Sequence, residues 1–320
     1  MTDSTNPSGG KRLLSVVTSC YNEEENVRGL YEAVRAVMAK HPEYRYEHIF
    51  IDNASGDGTR RILREMCAAD PNVKAIFNAR NFGAVRSGIH VLLQARGDAV
   101  LALACDFQDP PELLDEFITH WEQGSKIVLG VKTSAAERST FYAIRGWYYR
   151  LLGKISEAPP VVQSTGFGMY DRVVIEHLRR IADPYPFFRG LLSEIGYEPK
   201  LVPFHQPQRK RGVSSQNFYS LYDQAFLGIT SHSKVPLRLA TMLGFVLGVL
   251  SVVVGLGYLV AKLMLWNSFS LGVAPILVGF FFLTSVQLFF IGIVGEYVGV
   301  IWTHVRDVPH IFELERINFE

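Results

Sequence analysis

Cysteine is scarce in this sequence: Cys20, Cys67 and Cys105 are its 3 copies, widely spaced and without a Cys-x-x-Cys pair. That excludes a disulfide scaffold or a zinc knuckle and leaves buried thiols as the reading. Net charge is nearly absent too. Against 32 lysines and arginines stand 31 acids, giving +1 with histidine neutral, so nothing draws the whole chain to nucleic acid. Residues Met1 to Lys11 are rich in Ser, Asn, Pro and Gly and lack the apolar core of a signal peptide. They read as a disordered N-terminus before a domain that stays in the cytoplasm. With 48% hydrophobic and 20% charged residues, a wholly disordered chain is also excluded.

What is present is unevenly distributed. No formal charge occurs from Leu239 to Ala261, nor from Leu263 to Gly295, and only Lys262 separates the two runs. About 20 apolar residues span a bilayer as a helix, so 235–303 reads as two transmembrane helices. The segment Trp266–Leu271 between them has no Lys or Arg, whereas Lys234, Arg238 and Arg306 flank the outer ends. The positive-inside rule then puts both termini and the large domain in the cytoplasm, as a multi-pass protein of the cytoplasmic (inner) membrane. Lys262 can snorkel to the far interface. Residues 215–234 carry Phe218, Leu221, Tyr222, Ala225 and Ile229 at helical spacing, which fits either a juxtamembrane amphipathic helix or a helix packed on the soluble domain. Residues 304–320 read as a cytoplasmic tail.

Ahead of the apolar runs, β-branched stretches alternate with helical patterns. Leu13–Thr18, Tyr46–Asp52, Val73–Phe77, Ala99–Leu103 and Lys126–Val131 read as strands; Glu24–Lys40, Gly58–Ala69, Phe82–Gln94 and Pro111–Trp121 read as helices. The alternation predicts an α/β domain over 12–214 with a mostly parallel sheet. From about Glu137 to Lys234 it loosens into helices and loops. Ligands of such sheets bind outside the carboxyl ends of the strands, and the polar motifs fall there. Tyr21-Asn22-Glu23-Glu24-Glu25 follows the first strand, and Asp52-Asn53-Ala54-Ser55-Gly56-Asp57-Gly58 ends the second. Ala79-Arg80-Asn81-Phe82-Gly83 follows the third, and Asp106-Phe107-Gln108-Asp109-Pro110-Pro111-Glu112 the fourth. An aromatic ring on this rim can stack on a nucleobase, and closely spaced oxygen ligands suit Mg2+ or Mn2+ on a diphosphate. The bland readings are a capped helix start, with Asp109 as the cap, and a Gly turn.

Taken in order, YNEEEN, DNASGDGT, ARNFG, DFQDPPE, FFRG, the basic RxxGxS and GEY in the last apolar run resemble glycosyltransferase family 2. More narrowly they are similar to its polyisoprenyl-phosphate branch, which holds dolichol-phosphate mannose synthases and bactoprenol glucosyltransferases. The likeness runs from about Leu13 to Ile311. It implies a GT-A (Rossmann-like) fold and inverting transfer from a nucleotide-diphosphate sugar, with UDP-sugars favoured, to a lipid phosphate such as undecaprenyl phosphate. The processive branch is disfavoured because its QxxRW signature is absent.

The resemblance places Tyr21, Asn22, Glu23, Asp52, Asn53, Asn81 and Gly83 at the nucleotide sugar, and Asp106 and Gln108 at the metal and diphosphate. It places Arg189, Arg209, Arg211 and Ser214 at the lipid phosphate, with Asp106, Arg189 and Arg209 as the catalytic set. The implied partners are the donor, the lipid and the membrane but no nucleic acid; a homo-oligomer is left open. Four stretches depart from the pattern. Ala104 replaces the first acid of Asp-Ala-Asp, and Asp52-Asn53-Ala54-Ser55 replaces Asp-Asp-Gly-Ser. Thr165-Gly166-Phe167-Gly168 replaces Gly-Asp-Phe-Arg, and Ser215 replaces a lysine. The lost acid motivates a second reading, a catalytically silent membrane protein that binds nucleotide sugar or lipid and recruits a partner.

Overall fold

In the computed structural model the described residues are 11–134, 164–181, 187–207, 234–264, 273–305 and 311–319. The expected disordered segment before Lys11, the juxtamembrane stretch with Phe218–Ile229, Trp266–Leu271 and Arg306 lie outside them. Strands are β1 Leu13–Cys20, β2 Arg45–Asp52, β3 Val73–Asn78, β4 Ala99–Ala102, β5 Ile127–Ser134, β6 Ser164–Asp171, β7 Lys200–His205 and β8 Glu313–Ile317. Helices are α1 Val27–Met38, α2 Thr59–Ala69, α3 Ala84–Gln94, α4 Leu114–Glu122, α5 Arg172–Ile181, α6 Phe188–Ile195, α7 Val235–Met264 and α8 Val273–Val305. The strands form one sheet in the order β7-β5-β6-β4-β1-β2-β3-β8. Only β6 and β8 run against the rest.

Alternation along the strands builds a core on each face. From β1 and β2, Leu14, Val16 and Phe50 join one cluster with Leu30 and Val34 of α1, Leu63 of α2 and Phe117 of α4. Val17, Ile49 and Ile51 point the other way, to Val91 of α3, Ile175 of α5 and Leu191 of α6. A titratable imidazole lies inside. His48 is fully buried, stacks on Phe50 at 4.0 Å and faces the Thr18 hydroxyl from Nε2 at 3.1 Å. Burial pushes its pKa down to about 3.

The α/β class and the first five strands match the sequence reading; three expectations are corrected. The stretch after Glu137 contains β6 and β7, not helices and loops alone. Glycines and a proline disguise them. A Cβ on Gly168 would stand 2.3 Å from the Val128 carbonyl oxygen, so the close approach of β6 to β5 at this point requires glycine. Pro203 is tolerated because β7 is an edge strand. Second, α1 begins at Val27 rather than Glu24, and α3 at Ala84 rather than Phe82, because the residues before them are bonded into the rim. Third, the expected tail is not separate from the domain: β8 pairs antiparallel with β3.

Between β7 and β8 lie α7 and α8, whose stretches Val235–Gly257 and Phe282–Thr303 are long and apolar enough to cross a membrane. Large apolar side chains along both, such as Phe245, Val253, Phe282 and Phe289, are exposed.

Candidate active site

Every strand but β6 and β8 points its carboxyl end at one rim, and those two begin there. The first two rim loops are clasped together. Asn22 N–H donates to Ser55 Oγ at 2.9 Å, and Gly56 N–H returns to Asn22 Oδ1 at 2.8 Å. Glu23 N–H donates to Thr59 Oγ1 at 2.9 Å, while Gly58 N–H donates to Glu24 Oε2 at 2.7 Å. Asn22 takes φ +56°, a strained choice that Asn tolerates better than most residues. The clasp leaves the Tyr21 ring 42% exposed, available for stacking. Glu23 is buried instead, and Asn26 Nδ2 donates to its Oε2 at 2.6 Å.

Asp52 is the carboxylate that ends β2. Expected at the nucleoside, its side chain is completely buried at the end of a central strand. Arg60 Nε donates to Asp52 Oδ2 at 2.6 Å, and the Ser55 N–H reaches the same carboxylate. Arg60 also donates from Nη2 to the Asn78 carbonyl at 2.9 Å, tying β2 to β3. Sequence reasoning missed Arg60, because a cation in the first turn of a helix carries no motif and opposes the helix dipole.

Asn53 is also buried, and its amide holds the end of β3 and the turn that follows it. Its Oδ1 accepts from Phe82 N–H at 2.9 Å and from Asn78 Nδ2 at 3.1 Å. Its Nδ2 donates to Asn81 Oδ1 at 2.8 Å, an oxygen that also takes the Gly83 N–H at 2.9 Å. An aspartate at position 53 could not make that donation, which gives the departure from Asp-Asp-Gly-Ser a local reason. Asn81 is exposed on the rim, Gly83 takes φ +89°, and Arg80 lies over the Phe82 ring at 4.1 Å.

After β4, Asp106 and Gln108 are partly exposed, and Asp106 Oδ1 accepts the Gln108 N–H at 3.1 Å. Asp109 does not cap a helix. It is buried and its Oδ2 accepts the Ala104 N–H at 2.9 Å, closing the loop that presents Asp106. Burial raises its pKa to about 6, against the Ala104 N–H that lowers it; the Asp106 charge adds to the rise. Among the described residues no group of three His, Cys, Asp or Glu is placed to hold a metal ion. The Asp106 carboxylate and Gln108 carbonyl are nonetheless hard oxygen donors. Mg2+ commonly takes one or two protein groups and completes its shell with phosphate and water, so the pair fits a half-site of that kind.

Arg189 sits at the start of α6, whose Phe188 ring meets Tyr170 of β6 at 5.5 Å. The register pairs Ala102 with Gly168, which carries the beginning of β6 past the end of β4, toward the Asp106 loop. Gly166 there takes φ +93°, and a Cβ on it would stand 3.4 Å from the Phe188 ring. Arg209, Arg211 and Ser214 lie outside the described residues. The three thiols are all buried and unbridged, and burial, with Cys105 and Asp52 nearby, pushes the Cys20 thiol well up.

The glycosyl transferase family 2 profile matches residues 15–179. An SfII prophage-derived bactoprenol glucosyl transferase of Shigella flexneri is 33% identical over 92% of this chain and 96% of its own. A prophage bactoprenol glucosyl transferase homolog of Escherichia coli is 30% identical over 92% of this chain and 96% of its own. Among solved structures, a mannosyltransferase of Pyrobaculum calidifontis aligns over 95% of this chain and 90% of its own, with 14% identity and a TM-score of 0.47. By the profile and by these relatives, the chain belongs to glycosyl transferase family 2, in the branch with the bactoprenol enzymes.

Proposed function

We propose that the protein transfers a sugar from a nucleotide diphosphate, a UDP-sugar first, to a polyisoprenyl phosphate at the cytoplasmic face of a membrane, with inversion at the anomeric carbon. The observation that carries this reading is the insertion of two long apolar helices between β7 and β8 of the sheet whose rim holds Tyr21, Asn81 and Asp106. Because β7 and β8 share one sheet, the chain leaves and returns on one side, which a two-helix hairpin satisfies and a single crossing does not. The names of the relatives, bactoprenol glucosyl transferases, support both the lipid acceptor and glucose as the first sugar to test.

A polyprenyl phosphate is already an anion near neutral pH, so the nucleophile needs no strong general base. The barrier lies in bringing two anions together and in stabilising the departing nucleoside diphosphate. In this reading Tyr21 stacks on the base while Asn22, Asn81 and Gly83 line the donor, with Glu23, Asp52 and Asn53 holding their loops from beneath. Asp106 and Gln108 would hold a Mg2+ or Mn2+ ion, which when bound offsets diphosphate charge. Arg189, Arg209, Arg211 and Ser214 receive the lipid phosphate, for which the guanidinium fork is well shaped.

Membranes containing the protein, given radiolabelled UDP-glucose, undecaprenyl phosphate and Mg2+ or Mn2+, are expected to yield a labelled lipid. Nucleotide binding without transfer from any sugar donor would favour the catalytically silent reading, which Ala104 motivates.

A further inference from the structure

The segment that re-enters the domain after α8 does more than widen the sheet. The Phe312 carbonyl accepts the Ala79 N–H at 2.8 Å, and its ring centroid lies 6.4 Å from that of Phe82. Glu313, the next residue, pairs with Asn78 in the ladder, and its Oε1 meets His90 Nε2 of α3 at 2.5 Å. Arg316 Nη2 donates to the same oxygen at 2.7 Å, which fixes the carboxylate toward α3. One short segment therefore grips the chain both before and after the turn Ala79–Gly83. That turn needs a grip. Gly83 sits at φ +89° and Asn81 is exposed, so the turn's inner hydrogen bonds to Asn53 are opposed by open solvent outside.

We propose that the Phe312 ring is a positioning group for the donor half of the site, acting through the Phe82 ring on Asn81 and Gly83, while the backbone bond to Ala79 fixes where that ring stands. The inference rests on the assignment of Asn81 and Gly83 to nucleotide binding. The Phe312 ring is 53% exposed whereas Phe82 is 9% exposed, so removing the Phe312 ring costs the core little and leaves the turn chiefly affected. A residue that follows both apolar helices would thus govern the donor and not the lipid, the reverse of what its place in the chain implies. The middle of β8 offers a control. There the Glu315 carboxylate pairs with Arg64 Nη2 of α2 at 2.7 Å.

The test is steady-state kinetics on the full-length protein, with thermal stability measured alongside. Phe312→Ala is expected to raise the KM for the nucleotide sugar on the order of five- to tenfold while the KM for polyprenyl phosphate stays put. Phe312→Tyr should restore the donor KM, and Glu315→Ala should move neither. Asn81→Ala reports on the underlying assignment: an unchanged donor KM there would remove the nucleotide role of the turn and the inference with it. A donor KM raised in Asn81→Ala but not in Phe312→Ala overturns the inference alone. Equal shifts for both substrates in Phe312→Ala, following a lowered melting temperature, would also overturn it in favour of a purely structural ring.

Discussion

At the scale of single residues, burial divides the carboxylates of the rim into those that can meet a ligand and those that hold the loops. Asp106 is partly exposed and belongs to the first kind. Asp106→Ala is expected to abolish sugar transfer and flatten the divalent-metal titration, measured in membranes with and without chelator. Asp52 is of the second kind. Arg60→Ala strands its buried charge and should lower stability on the order of 2–3 kcal/mol, read as a drop in melting temperature. His48 makes one contribution to the pH dependence of the core. Its folded pKa lies near 3, below the ordinary value of about 6.5, so only the unfolded chain gains this proton as pH falls through that window. The His48 contribution to stability is therefore lost on acidification. Between pH 7 and pH 5 the loss from this group is about 2 kcal/mol. His48→Gln keeps a partner for Thr18 but cannot titrate, so its stability should fall that much less over the same range. The motif letters made Asp52 and Asp106 look alike at the sequence level. What separates them is side-chain direction at a strand end and the presence of Arg60, neither of which has a period or a signature.

At the scale of elements, the sequence reading succeeded where alternation and helical spacing are strong, as in β1, β2 and α1. It failed where local chemistry overrides period. The first turns expected of α1 and α3 are spent on the rim: Glu24 N–H goes to Asp57 Oδ2 at 3.2 Å and Phe82 N–H to Asn53 Oδ1. β6 escaped notice because Gly166 and Gly168 read as loop, although the close approach to Val128 is what demands glycine. This yields a contrast between two glycines. Gly168→Ala forces a Cβ against backbone and should destabilise by at least about 2 kcal/mol, whereas Gly56→Ala meets nothing within 4 Å and should stay within about 0.5 kcal/mol. Chemical denaturation of both variants checks it; equal costs would mean that β5 and β6 are not paired in this register.

At the scale of the whole molecule, the two apolar helices were legible from charge and length alone, but the strand beyond them was not. β8 reads ELERI, a short charged segment with no alternating apolar face, and only its partner β3 reveals it. A catalytic domain cut after residue 207 therefore lacks an edge of its own sheet. It is expected to be poorly soluble and to bind nucleotide weakly, whereas joining residues 11–207 to 311–319 through a flexible linker should recover a soluble, nucleotide-binding domain. Calorimetric titration with UDP distinguishes the two; tight binding by the simple truncation would show β8 to be dispensable. The same strand sets a timetable for biosynthesis. At roughly 5–20 residues per second, β3 emerges from the ribosome tens of seconds before β8 does. Through that interval both apolar helices must be threaded into place while the outer edge of β3 stands open to any strand that finds it. The strand that seals it is β8, which follows both apolar helices in the chain.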